Sequence, residues 1–190
     1  QSRHRLSAEM IRDNALAVSG LLVNDYGGSS IKPYQPKGYY RHLNFPKREY
    51  VQHQDERRFK RSVYMHWQRQ FLHPLLKAMD APSREECVAK RSRSNTPIAA
   101  MVLLNDPGFY EAATSFARGL INTNHDDEEH RIEDAFRKAL SRSPSLEEKD
   151  VLINLFKDVM KGAEGEDAEM SAWTAVSRAI FNCSEFNTRN

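Results

Sequence analysis

Asn95-Thr96-Pro97-Ile98-Ala99-Ala100-Met101-Val102-Leu103-Leu104-Asn105-Asp106-Pro107-Gly108-Phe109 is the stretch that decides the fold class. Thr96-Pro97 and Asp106-Pro107 are two helix starts in close succession. Each sets a short side-chain acceptor before a proline, whose missing N–H costs nothing in the first helical turn. Ile98 to Leu104 is almost wholly apolar, which predicts a central buried helix. Beyond Asp106, Phe109, Ala113, Phe116, Ala117 and Leu120 line one face of a second helix.

The same grammar continues toward the C-terminus. Ile132, Ala135, Phe136, Ala139 and Leu140 form a stripe. Ser145-Leu-Glu-Glu148 reads as a capping box, and Leu152, Leu155, Phe156 and Val159 follow it. Gly162 to Gly165 is a turn, and Trp173, Val176, Ile180 and Cys183 give the last stripe. Toward the N-terminus, Ser7 caps a helix carrying Ile11, Ala15, Val18 and Leu22, with Gly27-Gly28 closing that stretch. Phe59, Val63, Trp67 and Phe71 predict another helix from about Arg57, ended by His73-Pro74. Each apolar stripe needs a partner, so the expectation is a mainly α, irregular helical bundle.

Residues 24–56 break the pattern. Gly27, Gly28, Pro33, Pro36, Gly38 and Pro46 alternate with Tyr26, Tyr34, Tyr39, Tyr40, Phe45 and Tyr50. The glycines and prolines oppose a continuous helix, while the tyrosines oppose disorder. An ordered loop wrapping over the helical body fits both. Its rings pack as a lid on the core or stack on a glycan, with the lid the plainer reading.

Composition bounds the rest. The chain has 190 residues, 39% of them hydrophobic, and a formal net charge of +2. That suffices for a real core and argues against a dedicated nucleic-acid binder. No apolar run approaches the roughly 18 residues of a membrane span. The +2 conceals an asymmetry: residues 41–93 hold 13 Lys/Arg against 6 Asp/Glu, and residues 106–170 hold 8 against 16. Such blocks usually solvate helix faces.

Nucleotide-loop, nucleophile-elbow, zincin and c-type haem motifs are all missing. The main candidate site is the polar segment 80–97, with Asp80, Arg84, Glu85, Cys87, Arg91, Arg93, Asn95 and Thr96. Paired arginines can hold a carboxylate or sulfate bidentately. Cys87 as a nucleophile would need His66 or His73 beside it. Cys87 and Cys183 could form one disulfide or remain buried thiols. A weaker candidate is a metal at His125, Asp127 and His130, though acids at a helix start equally suit the helix dipole.

The motifs in order also resemble a known family. They are Arg5-Leu-Ser-Ala-Glu-Met-Ile-Arg-Asp13, Gly27-Gly28 with Lys32-Pro-Tyr34, Arg61-Ser-Val-Tyr64, Asp80-Ala-Pro-Ser-Arg84, Cys87, Asn95-Thr-Pro97 and Leu103-Leu-Asn-Asp-Pro107. The chain is similar to a planctomycete-specific C-terminal domain of unknown function, number fifteen-fifty-three of its series, through Phe181-Asn182 and Glu185-Phe186. Tyr39-Tyr40 and the stretch from His42 to Tyr50 match it only loosely. The resemblance implies one helical domain, residues 1–190, forming the C-terminal part of a larger domain or of a larger exported protein. The setting would be periplasmic or cell-surface, with cytochrome-c-like domains upstream that would carry any haem. It transfers no activity and no catalytic residue. Two readings follow: a non-catalytic scaffold or docking module for the upstream domains, or part of a site for an anionic polysaccharide built on the 80–97 loop.

Overall fold

The computed structural model describes residues 4–43, 47–123, 127–163, 165 and 167–189. The described residues form seven α-helices: α1 Ala8–Val18, α2 Pro74–Ala78, α3 Pro97–Asn105, α4 Pro107–Ile121, α5 Glu128–Leu140, α6 Leu146–Gly162 and α7 Ala168–Phe181. Two short strands, β1 His4–Arg5 and β2 Thr188–Arg189, pair antiparallel and join the two ends of the chain. The fold class is mainly α, as the periodicity predicts.

The helix starts follow from local chemistry. Ser7, Thr96 and Asp106 accept backbone N–H groups at the starts of α1, α3 and α4. Ser145 and Glu148 complete a reciprocal capping box at α6. Helix α7 is the axis, packed mainly against α4 and α6. Trp173 is fully buried there against Phe156, with ring centroids 4.8 Å apart. Phe116, Phe181 and Phe186 stack in sequence at 5.6 and 4.7 Å.

Three sequence expectations need correction. First, α1 ends at Val18 rather than running to Gly27-Gly28. Ser19 is its cap, and Gly20 at φ +77° turns the chain, so Leu22 lies outside the helix. Second, residues 57–71 are not a helix. They form two 3-10 turns, Glu56–Phe59 and Ser62–Tyr64, and then irregular chain. Val63, assigned to the stripe, is 69% exposed. The backbone here is committed elsewhere: Val23 N–H donates to Phe59 O at 3.2 Å, and Ile31 N–H donates to Tyr64 O at 2.8 Å. Pro74 begins α2 instead of ending a helix. Third, α3 is not centrally buried. Only Ala99 and Leu103 are buried, whereas Ile98 and Met101 are 64% and 62% exposed.

The wrapping loop is ordered over its described residues. Ile31, Gln35, Tyr40 and Leu43 are buried. Tyr39, Tyr40 and Phe71 form a ring cluster that Tyr50 joins edge-on, and Tyr39 Oη donates to Leu72 O at 2.9 Å. These rings form a lid on the core. Phe45 and Pro46 lie outside the described residues. Trp67, on the apolar stripe Phe59 to Phe71, is only partly buried, whereas Trp173 is wholly so.

Candidate functional site

The loop of residues 80–97 closes on itself at Asp80. Asp80 adopts a left-handed backbone, φ +57°. Its carboxylate accepts from the Ser94 N–H at 2.7 Å, from Ser94 Oγ at 2.8 and 2.9 Å, and from Arg5 at 2.9 Å. Arg5 also donates to the carbonyls of Met79 and Ser94. Partial burial disfavours the Asp80 charge, but the Ser94 hydrogen bonds and Arg5 outweigh it and hold the carboxyl below its usual range. Asp80 is therefore a clasp, as its partners are all inside the protein.

The other loop candidates separate. Arg84, at φ +65°, lies over the Trp67 ring at 3.8 Å, and Trp67 Nε1 donates to Ser83 O. Arg91 grips Glu9 of α1 at 2.9 and 3.1 Å. Thr96 caps α3. Glu85 and Cys87 are exposed. Arg93 and Asn95 line a cleft of about 510 Å³, facing His4 and Arg5 of β1, Asn182 and Asn187 across an apolar floor of Ile11 and Leu103. Asn187 Oδ1 is buried there without a hydrogen-bond partner. Six of the eight residues thus serve a clasp, a cation–π stack, a helix tether, a cap and one wall of a cleft, rather than one constellation, while Glu85 and Cys87 stand in solvent.

Cys87 and Cys183 are both free thiols. Cys183 is half-buried, and burial pushes its thiol up. Cys87 is exposed, whereas His73 is buried. At the weaker metal candidate, His125 lies outside the described residues. Asp127 caps α5 through Glu129 N–H and meets His130 Nδ1 at 2.9 Å. Among the described residues no group of three or more His, Cys, Asp or Glu side chains is placed to hold a metal.

The densest buried polar arrangement lies elsewhere. Arg12 occupies a core position of α1, in the stripe Ala8, Ile11, Arg12, Ala15 and Leu16. Its guanidinium donates to Lys60 O and Ser62 Oγ, both at 3.1 Å, and to Arg58 O. Next to it, Asp13 accepts the Ser62 N–H at 2.7 Å. Together they read the backbone of 58–62, a second reason that segment is not helical. Burial depresses the Arg12 pKa. Asp106 lies close enough to oppose that shift, while burial raises its own carboxyl. Arg58 pairs with Glu111 at 2.5 Å, which links the basic and acidic blocks of the chain. The sequence carried one signal for this arrangement: a charged residue inside an otherwise apolar helical stripe.

A family model described as "PSD1: Protein of unknown function (DUF1553)" matches residues 1–156. The resemblance at Phe181-Asn182 and Glu185-Phe186 falls beyond the matched range. No curated protein and no solved structure matches the chain.

Proposed function

Because the chain belongs to the PSD1 family of unknown function (DUF1553), and membership brings no activity with it, we propose a non-catalytic scaffold or docking module. In this reading it serves an exported multidomain protein, periplasmic or at the cell surface, whose upstream cytochrome-c-like domains carry the haem. The observation that supports it is the outer face of α3. Pro97, Ile98, Met101 and Asn105 share that face and are all exposed. Residues 94–105 carry no charge, so the occupant that suits this face is an apolar helix of a neighbouring domain rather than an anionic chain.

The double variant I98E/M101E tests this. In the 190-residue chain alone it is expected to change stability by less than about 0.5 kcal/mol, because both side chains face solvent. In the polypeptide that carries the domain, proteolytic release of the domain is expected to rise severalfold. Unchanged release in that polypeptide sinks the docking reading.

The cleft beside Arg93 and Asn95 supports a second reading, an anionic polysaccharide held between the 80–97 loop and the terminal strands. Its volume and its amide-rich rim over an apolar floor suit a sugar chain. Of the three loop arginines, only Arg93 lines this cleft, because Arg91 is engaged with Glu9 and Arg84 with Trp67. The expected result is salt-sensitive thermal stabilisation by sulfated or carboxylated glycans, lost in R93A. No stabilisation by any of them removes this reading.

A further inference from the structure

Backbone hydrogen bonds pin three segments side by side at the lid. Ile31 N–H donates to Tyr64 O and His66 N–H donates to Ile31 O, both at 2.8 Å. Next in the chain, Lys32 O accepts the His53 N–H at 2.9 Å. The result is that Lys32, Tyr50 and His66 surround one cavity of about 220 Å³, which Tyr40, Arg48 and Glu49 also line. An ordered water needs only roughly 10–15 Å³ of such space, so a sulfate or phosphate fits.

The walls are aromatic and the polar groups are mostly cationic. Tyr40 and Tyr50 meet edge to face at 5.6 Å. Lys32 Nζ stands 5.9 Å from the Tyr50 ring centroid, and Arg48 is oriented by donating to Gln68 Oε1 at 3.0 Å. Arg5, Arg58, Arg91 and Arg142 all have carboxylate partners. Lys32 and Arg48 have none among the described residues, and Glu49, the one acid in the lining, is exposed. Lys32 Nζ, Tyr40 Oη and both His66 ring nitrogens lack a hydrogen-bond partner among the described residues, yet none of them is shut off from water. Each is therefore open to a ligand. Burial lowers the His66 pKa, and the Lys32 and Arg48 charges lower it further. Both charges thus converge on the imidazole, and no carboxylate offsets them there.

We infer that Lys32, Arg48, His66 and Tyr40 form a binding site for a tetrahedral oxyanion, sulfate or phosphate, free or as a monoester. Donors arriving from separate chain segments suit an anion whose oxygens point in several directions. A planar carboxylate is satisfied by a single arginine fork. The site shares no residue with the α3 face or the Arg93 cleft, so it stands or falls apart from both readings above.

The test is a titration of the ¹⁵N-labelled chain with sodium sulfate, sodium phosphate and methyl phosphate, followed by NMR at the His66 ring nitrogens. Ionic strength is held fixed with sodium chloride, and sodium acetate is the planar control. The oxyanions are expected to shift the ring signals saturably, and to raise the His66 pKa, because a bound anion favours the imidazolium. Methyl phosphate binding no tighter than phosphate assigns the free ion, and tighter binding assigns the monoester; both support the site. K32Q and R48Q are each expected to weaken sulfate binding about tenfold, the effect of one lost charged hydrogen bond, while R93A leaves it unchanged. The absence of a saturable shift overturns the proposal. So does a preference for acetate, undiminished binding in folded K32Q and R48Q, or a loss of binding in R93A.

Discussion

R12A is expected to lose about 3–5 kcal/mol of unfolding free energy, without a change in denaturant slope. The guanidinium is buried and serves three acceptors on one segment: the carbonyls of Arg58 and Lys60 and the hydroxyl of Ser62. Alanine strands these acceptors in the interior and leaves a cavity. The segment they belong to has little helix of its own to fall back on, since it is two 3-10 turns joined by extended chain. R12K separates charge from geometry. Lysine keeps the positive charge but cannot present a planar fork to acceptors spread over 58–62. It is therefore expected to lose more than half as much as alanine. Urea unfolding of the three proteins checks this. A loss below about 1 kcal/mol in R12A would mean that Arg12 does not hold the 58–62 segment.

Acidification from pH 6.5 to about 4.5 is expected to destabilise the chain through His73. Burial pushes the His73 pKa down to about 4, with the Arg12 charge adding to it and the hydrogen bond to Tyr34 O opposing it. The unfolded ring titrates near 6.5. Between these values the unfolded chain binds the extra proton, so stability is complete above about pH 6.5 and falls as the pH approaches 4. The full difference is worth roughly 3 kcal/mol. Asp106 works the other way, because its raised carboxyl takes up a proton in the native state first. Asp80 and Glu148, whose carboxyls are held low, lose their stabilisation only at more acid pH. The window between about 6.5 and 4.5 therefore belongs to the two imidazoles whose pKa burial lowers, His73 and His66, with the large shift at His73. Thermal unfolding across it should decline in the native chain and run flatter in H73Q; parallel curves would show that the buried imidazole does not control acid stability.

The parts of the fold that were legible in the sequence are those set by neighbours in the chain. Ser7, Thr96, Asp106 and Ser145 cap their helices through amides two or three residues away, so the signal lies within one turn. The stripe Phe109 to Leu120 is core because an amphipathic helix buries its apolar face. The segment 57–71 has a helical stripe as well, yet Val23, Ile31, Arg12 and Asp13 claim its backbone from distant positions. Periodicity cannot register that competition. The exposure of Ile98 and Met101 was hidden for a related reason. Burial of a uniformly apolar helix depends on what packs around it, and α3 carries no polar stripe to mark its outer face.

The candidate loop divides along the same line. Its residue types were legible, but whether a side chain was free was not. Asp80 and Arg91 are engaged because Arg5 and Glu9, remote in sequence, stand beside them. Arg93 and Asn95 remain on a cleft that includes Asn182 and Asn187, at the far end of the chain. The buried Arg12 arrangement was visible only as an arginine out of place in an apolar stripe. Its partners come from turns that the sequence pattern had read as helix.

The central claim is that the exposed face of α3 is a docking surface. The most direct measurement is amide hydrogen exchange over residues 97–105, in the isolated 190-residue chain and in the longer polypeptide proposed to carry it. Docking predicts that these amides exchange at least tenfold more slowly in the longer polypeptide, and that I98E/M101E abolishes the difference. Equal exchange in the two contexts would contradict the claim.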